Sequence, residues 1–167
     1  MTIDEQIYTA AMKAGFSPSA AKLIVAQARH ETGNYTSYQF KENNNLFGMK
    51  YVKQPLAKMG NKSPEGDYYA KYSNVGDSVM DLVNRNYKIT RKGVSFADLK
   101  SVSDSTDFAK KLKQRGYYTD SEANYKRGLD LALLRINALD LIKNNKGKLT
   151  IGLILIGLAT YWYYKKK

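Results

Sequence analysis

At 167 residues the chain can form one domain with a sizeable core plus a short appendage. It has no cysteine, which excludes disulfide support, thiolate chemistry and cysteine-ligated zinc, and a single histidine, His30, which excludes a multi-histidine metal site. A net charge of +12 points to a polyanionic partner, with bacterial wall polymers, anionic lipid headgroups and nucleic acid as the classes; no compact aromatic and basic RNA-binding motif appears, which sets nucleic acid last.

In chain order, the first residues, MTIDEQIYTAAMKAG, contain Asp4 and Glu5 and do not read as a cleavable signal peptide. Thr2 and Glu5 are spaced as a capping box for an amphipathic helix. A second helix follows: Ser17 is suited to the cap, Pro18 to the first helical position, and alanines and aliphatics run on through LIVAQARHE to a stop at Gly33. Glu31 lies four residues after Gln27 and seven after Ile24, at the edge of the apolar face. A carboxylate there has two reasons to hold its proton, a partly apolar setting and the negative end of the helix dipole. That suits a general acid, against the plainer alternative of a solvated helix-end glutamate. His30, a quarter-turn away, reads as a packing or surface residue.

Next, NNNLFGMKYV joins polar turn formers to an apolar pair and a strand candidate. The segment QPLAKMGNKSPEGDYYAKY, with two prolines and two glycines, predicts a hairpin or small β lobe. Val79, Leu82, Val83 and Tyr87 have helical spacing, and Phe108 and Leu112 mark another helix that stops near Gly116. From Ser121 to Asn145, Tyr125, Leu129, Leu133, Ile136 and Leu139 share one side of a helix expected to pack across the domain. There is no long linker, low-complexity tract or internal repeat.

The C-terminal LTIGLILIGLATYWYYKKK is uncharged from Leu149 through Tyr164. Sixteen helical residues reach ~24 Å, short of the roughly 30 Å hydrocarbon layer, but the aromatic cluster and flanking lysines have the look of a membrane interface. The expectation is a C-terminal apolar, transmembrane helix with a basic tail over residues 146–167, anchoring the domain through residues 149–164.

Three ordered stretches then resemble the glucosaminidases of glycoside hydrolase family 73, bacterial and phage peptidoglycan hydrolases related to the flagellar rod-associated hydrolase. AQARHETG is similar to the family's helix ending in glutamate; NNNLFGMK is similar to its Asn-Leu-Phe-Gly element; LKQRGYYTDSEANYKRGL is similar to its Gly-Tyr-Ala-Thr-Asp segment and the basic helix after it. The resemblance covers residues 1 to about 140 and leaves the apolar tail outside. It implies an α+β, mainly helical lysozyme-like domain with a small β lobe over residues 1–145. The implied activity is cleavage between N-acetylglucosamine and N-acetylmuramic acid, with no cofactor or metal. A lytic transglycosylase or muramidase using the same glutamate, or an inactive virion or structural protein, is the alternative.

On this resemblance Glu31 matches the catalytic acid, Glu65 the second carboxylate on the β lobe, with Asp67 as its nearby substitute, and Tyr117 the tyrosine near the reacting sugar. Tyr118 stands where the family has alanine, so either tyrosine can be the one that points inward. Asn45 and Lys50 are expected to line or shape the cleft, and Phe47 to pack in the core. The expected partners are peptidoglycan strands, a membrane, and virion or lysis-machinery proteins. The expected location is at a membrane facing the cell wall, or in a phage particle.

Overall fold

A computed structural model describes residues 1–144, with side chains through residue 137. The chain falls into two units, Met1–Leu133 and Leu134–Lys167. The first opens on helix α1 (Ile3–Lys13), closed at its start by the expected capping box: the Thr2 amide donates to Glu5 Oε2 at 2.7 Å and the Glu5 amide to Thr2 Oγ1 at 3.2 Å. Helix α2 (Pro18–Glu31), capped by Ser17, buries Ala20, Ala21 and every residue from Leu23 to Ala28. A helix apolar over so much of its circumference must run through the body, and α2 does, packing on α1.

What ends α2 also fixes the chain beyond Glu31. Gly33, Asn34 and Tyr35 adopt φ of 56, 59 and 67°, three successive left-handed residues. Glycine takes this conformation freely, whereas for a tyrosine the left-handed region costs about 1–2 kcal/mol. Side-chain bonds hold it there: the Tyr35 hydroxyl donates to Asp4 Oδ1 at 2.6 Å, Arg29 pairs with Asp4 at 2.6 Å, and the Arg29 guanidinium lies over the Tyr35 ring. Asp4→Ala strips this arrangement of its acceptor. The expected loss is about 2–3 kcal/mol, reduced from the cost of breaking a fully buried pair by partial exposure, read as a melting temperature roughly 5–10 °C lower.

After the short helix α3 (Tyr38–Asn43) the chain enters the β lobe, strands β1 (Ala57–Lys62) and β2 (Tyr68–Tyr72), paired antiparallel with Ala57 opposite Tyr72 and Met59 opposite Ala70, and a register shift between Met59 and Lys62. Ala70 and Tyr72 face inward, and the Tyr72 hydroxyl donates to buried Asp81, which also receives Gln54. Helix α4 (Val75–Leu82) continues into a π-helical turn, Val83–Tyr87, which carries Tyr87 into the core. Helices α5 (Phe96–Lys100) and α6 (Ser105–Arg115) follow, then α7 (Glu122–Asn144).

This is the expected mainly helical domain with a small two-stranded sheet, but the fold expectation needs one correction. Among the described residues no helix is long and apolar enough to cross a membrane. Over its described side chains the long helix α7 buries Tyr125, Leu129 and Ala132, while Lys126 and Asp130, away from them, pair at 2.5 Å. Such a helix packs against a body instead of facing lipid on all sides. The transmembrane helix is therefore withdrawn from the fold, and with it the membrane association through residues 149–164 and the location at a membrane. The segment on which those expectations fell lies outside the described residues. Nothing among the described residues stands for virion or lysis-machinery partners or for carriage in a phage particle.

Candidate active site

Glu31 is the last residue of α2, at the negative end of the helix dipole. It is exposed, as an acid that meets a substrate must be, yet protein crowds its carboxyl from three elements. From α7 the Tyr125 hydroxyl donates to Glu31 Oε1 at 2.9 Å. From the segment after α6 comes Tyr117, and from the π-helical turn Tyr87, whose ring centroid is 6.2 Å from that of Tyr117. One turn back on α2, fully buried Gln27 accepts the Tyr87 hydroxyl at 2.7 Å.

The electrostatics follow from this crowding. Burial raises the Glu31 pKa above the ordinary carboxyl value, and the hydrogen bond from Tyr125 partly offsets it by favouring the charged form. Burial, and then the nearby Glu31 charge, push the Tyr117 phenol well above its ordinary value, so it stays a neutral donor. Tyr87 is raised for the same first reason. The cluster contains one carboxylate ringed by neutral hydroxyls, which is the environment of a proton donor.

The other residues singled out in the sequence lie elsewhere. Glu65 is on the exposed turn between β1 and β2, bonded to Lys50 Nζ at 2.8 Å. The bond from Lys50 lowers the Glu65 pKa to about 2, while Lys50, raised by the same bond, lies over the Tyr69 ring. Asp67 is exposed at the end of the same turn, its carbonyl accepting the Ser63 amide. Asn45 is only 1% exposed and its amide is fully engaged: it donates to Met49 O and Ala70 O and accepts the Met49 amide, pinning the Asn-rich loop to β2. Phe47 is buried. Tyr118 stacks flat on Tyr125 at 3.8 Å and donates to Ala109 O, so of the two adjacent tyrosines it is Tyr117 that joins the Glu31 cluster.

Three members of the cluster were missed in the sequence. Tyr125 and Tyr87 look there like ordinary apolar-face residues; the signal was that a buried tyrosine hydroxyl needs a partner. Gln27, a buried amide four residues before the suspected acid, carried the same signal.

The family model for glucosaminidases, described as mannosyl-glycoprotein endo-beta-N-acetylglucosaminidase, matches residues 5–137. The chain belongs to this family. It is thus a glycoside hydrolase, in agreement with the family 73 resemblance. A search of curated proteins finds no match. Among solved structures, this glucosaminidase resembles a peptidoglycan hydrolase from Sphingomonas sp. A1, at 23% identity and TM-score 0.58 over 80% of this chain and 88% of that one. It also resembles the catalytic domain of the autolysin Auto from Listeria monocytogenes, at 24% identity and TM-score 0.54 over 81% and 80%. A third likeness is to a type VI secretion system effector-immunity complex from Pseudomonas protegens, at 21% identity and TM-score 0.55 over 78% and 84%. At these identities the likenesses speak for the fold.

Proposed function

We propose that this glucosaminidase cuts the glycan strands of peptidoglycan on the reducing side of N-acetylglucosamine, with Glu31 as general acid and residues 1–145 as the catalytic domain. The observation that carries the reading is the placement of Glu31: an exposed helix-end residue whose carboxyl, crowded by Tyr125, Tyr117 and Tyr87, has a raised pKa. The glycosidic oxygen leaves poorly as an alkoxide; a proton from Glu31 lets it leave as a hydroxyl while positive charge develops at the anomeric carbon. Tyr117, a neutral donor beside Glu31, hydrogen-bonds the reacting sugar. Asn45 shapes the site indirectly, by holding its loop.

The second carboxylate rests on the family resemblance, which matches Glu65, on the exposed turn of the β lobe and bonded to Lys50, to that place. Glu65, held at about 2 by Lys50, is a poor base near neutral pH but a permanent negative charge. On that match it stabilises the developing cation, with Lys50 and Asp67 as substrate contacts beside it, and the substrate's own acetamido oxygen attacks the anomeric carbon before water completes hydrolysis. Digestion of purified peptidoglycan, followed by reduction of the new ends, tests the bond. Reduced N-acetylglucosamine is expected. Reduced N-acetylmuramic acid would mean a muramidase, and anhydro ends a transglycosylase. Glu65→Gln is expected to lower turnover by about tenfold, less than removal of the acid; unchanged turnover reassigns the charge to Asp67.

A further inference from the structure

We infer that Tyr125 is the positioning residue of the acid, fixing which oxygen of Glu31 carries the transferable proton. The inference rests on the reading of Glu31 above and extends it to a residue that the sequence marks only as part of an apolar helix face. The Tyr125 hydroxyl donates to Oε1 at 2.9 Å, so that oxygen acts as acceptor and the proton resides on Oε2. A carboxyl with both oxygens free could present either one to the glycosidic bond, and half of its orientations would be unproductive.

The ring of Tyr125 is held for this task from two sides. Tyr118 stacks on it at 3.8 Å with the planes 7° apart, and is itself tied through its hydroxyl to Ala109 O at 2.9 Å. His30, next to Glu31 on α2, meets the ring edge-on at 5.0 Å. His30 fits there because α7 has Gly128 one turn after Tyr125. A Cβ at that position would fall 2.2 Å from His30 Nδ1, so the glycine, unfavourable inside a helix, makes room for the imidazole. An aromatic column from Tyr118 through Tyr125 to His30 thus locks the hydroxyl of a buried tyrosine onto the carboxyl of an otherwise exposed glutamate.

The groups facing Glu31 are few enough for a pH test to be decisive. They are Tyr125 from α7, Tyr117 after α6 and Tyr87 from the π-helical turn; His30, next to Glu31 on α2, meets the Tyr125 ring and is acted on by Asp120, and Arg115 acts on Tyr87. Of these, Tyr125 gives Glu31 its direct hydrogen bond. A donor to a carboxylate favours the charged form, so its loss raises the Glu31 pKa.

The experiment follows the Glu31 carboxyl by 13C NMR titration in the full chain and in Y125F, with E31Q identifying the resonance, and measures pH–rate profiles on purified peptidoglycan. Y125F keeps the ring and its stack, and its melting temperature is expected to stay near that of the parent. The Glu31 midpoint moves to higher pH in Y125F, and the basic limb of kcat/KM moves the same way. At the optimum kcat falls on the order of tenfold, within the ~10²-fold that a 1 Å misplacement can cost, with KM little changed. A merely structural tyrosine would move stability and leave the limb in place. An unchanged midpoint in folded Y125F overturns the inference, as does a shifted midpoint with an unchanged rate profile while E31Q is inactive. If E31Q itself cleaves glycan at the parent rate, the failure lies in the reading of Glu31.

Discussion

Replacing Glu31 by glutamine is expected to lower glycan cleavage by at least ~10²-fold, the low end for loss of general acid assistance, while the protein stays folded. Glutamine keeps the size of the side chain and can still accept the Tyr125 hydroxyl, so the helix end and the tyrosine ring have no reason to move. What it lacks is a proton to give. The sign of the stability effect is also fixed. Because the folded pKa of Glu31 is raised above its unfolded value, its contribution is fully present below the unfolded carboxyl pKa and is lost as pH rises through the folded one. As pH rises through the folded pKa the fold bears a cost of ionising Glu31 that glutamine does not impose. E31Q is expected to melt at or above the parent temperature at pH 7, and to lose that advantage in acid. Parallel melting curves at the two pH values and a glycan-release assay check both halves. A folded E31Q with near-parent turnover would remove Glu31 from the chemistry.

That prediction could be framed from the sequence alone, because its parts are local. Ser17, Pro18, the aliphatic run and Gly33 define α2 by capping and periodicity, and they place Glu31 at its end. The hairpin was legible for a similar reason: its prolines, glycines and alternating aromatics are short-range turn and strand signals. The partners of Glu31 were not legible. Tyr125 is 94 residues away along the chain, and periodicity can say that such a residue is buried but not what its hydroxyl meets. Asn45 shows the converse. An asparagine beside a family-like loop looks like a ligand contact, and only tertiary structure brings the Ala70 carbonyl to its amide. Glu65 was found in the right lobe, but its depressed pKa depends on Lys50, fifteen residues away and brought close by the loop's pairing with β2. The apolar tail is the remaining lesson: length and flanking charges alone suggested a membrane anchor, whereas no helix among the described residues is long and apolar enough to cross a membrane, and the tail itself lies outside them.

The largest stability effect is expected at Arg115, the final residue of α6, which ties the segment after the π-helical turn to α6. Its side chain is 3% exposed, and its guanidinium donates to three backbone carbonyls, Val94 O at 2.5 Å, Asn86 O at 2.5 Å and Ile89 O at 2.7 Å. Burial lowers its pKa, which records what the fold gives up to enclose a cation. The three carbonyls offset that cost because hydrogen bonds to a charged group are the stronger kind. Arg115→Ala leaves three acceptors without their donor and a cavity beneath Tyr87, whose ring lies 5.9 Å from the guanidinium carbon. We expect a loss of about 4 kcal/mol, near the upper range for a broken buried network, or roughly 8–16 °C in melting temperature. Lysine should recover only a small part, since one ammonium cannot reproduce a planar fork that spans three carbonyls. Activity should fall with stability even below the melting transition. Tyr87 sits in the loosened segment, its hydroxyl fixes Gln27, and Gln27 lies one turn before Glu31. Denaturant titration of R115A and R115K, with cleavage rates measured well below each midpoint, separates the two effects. An R115A protein as stable as its parent would mean that the three carbonyls find other donors and that the loop does not depend on this side chain.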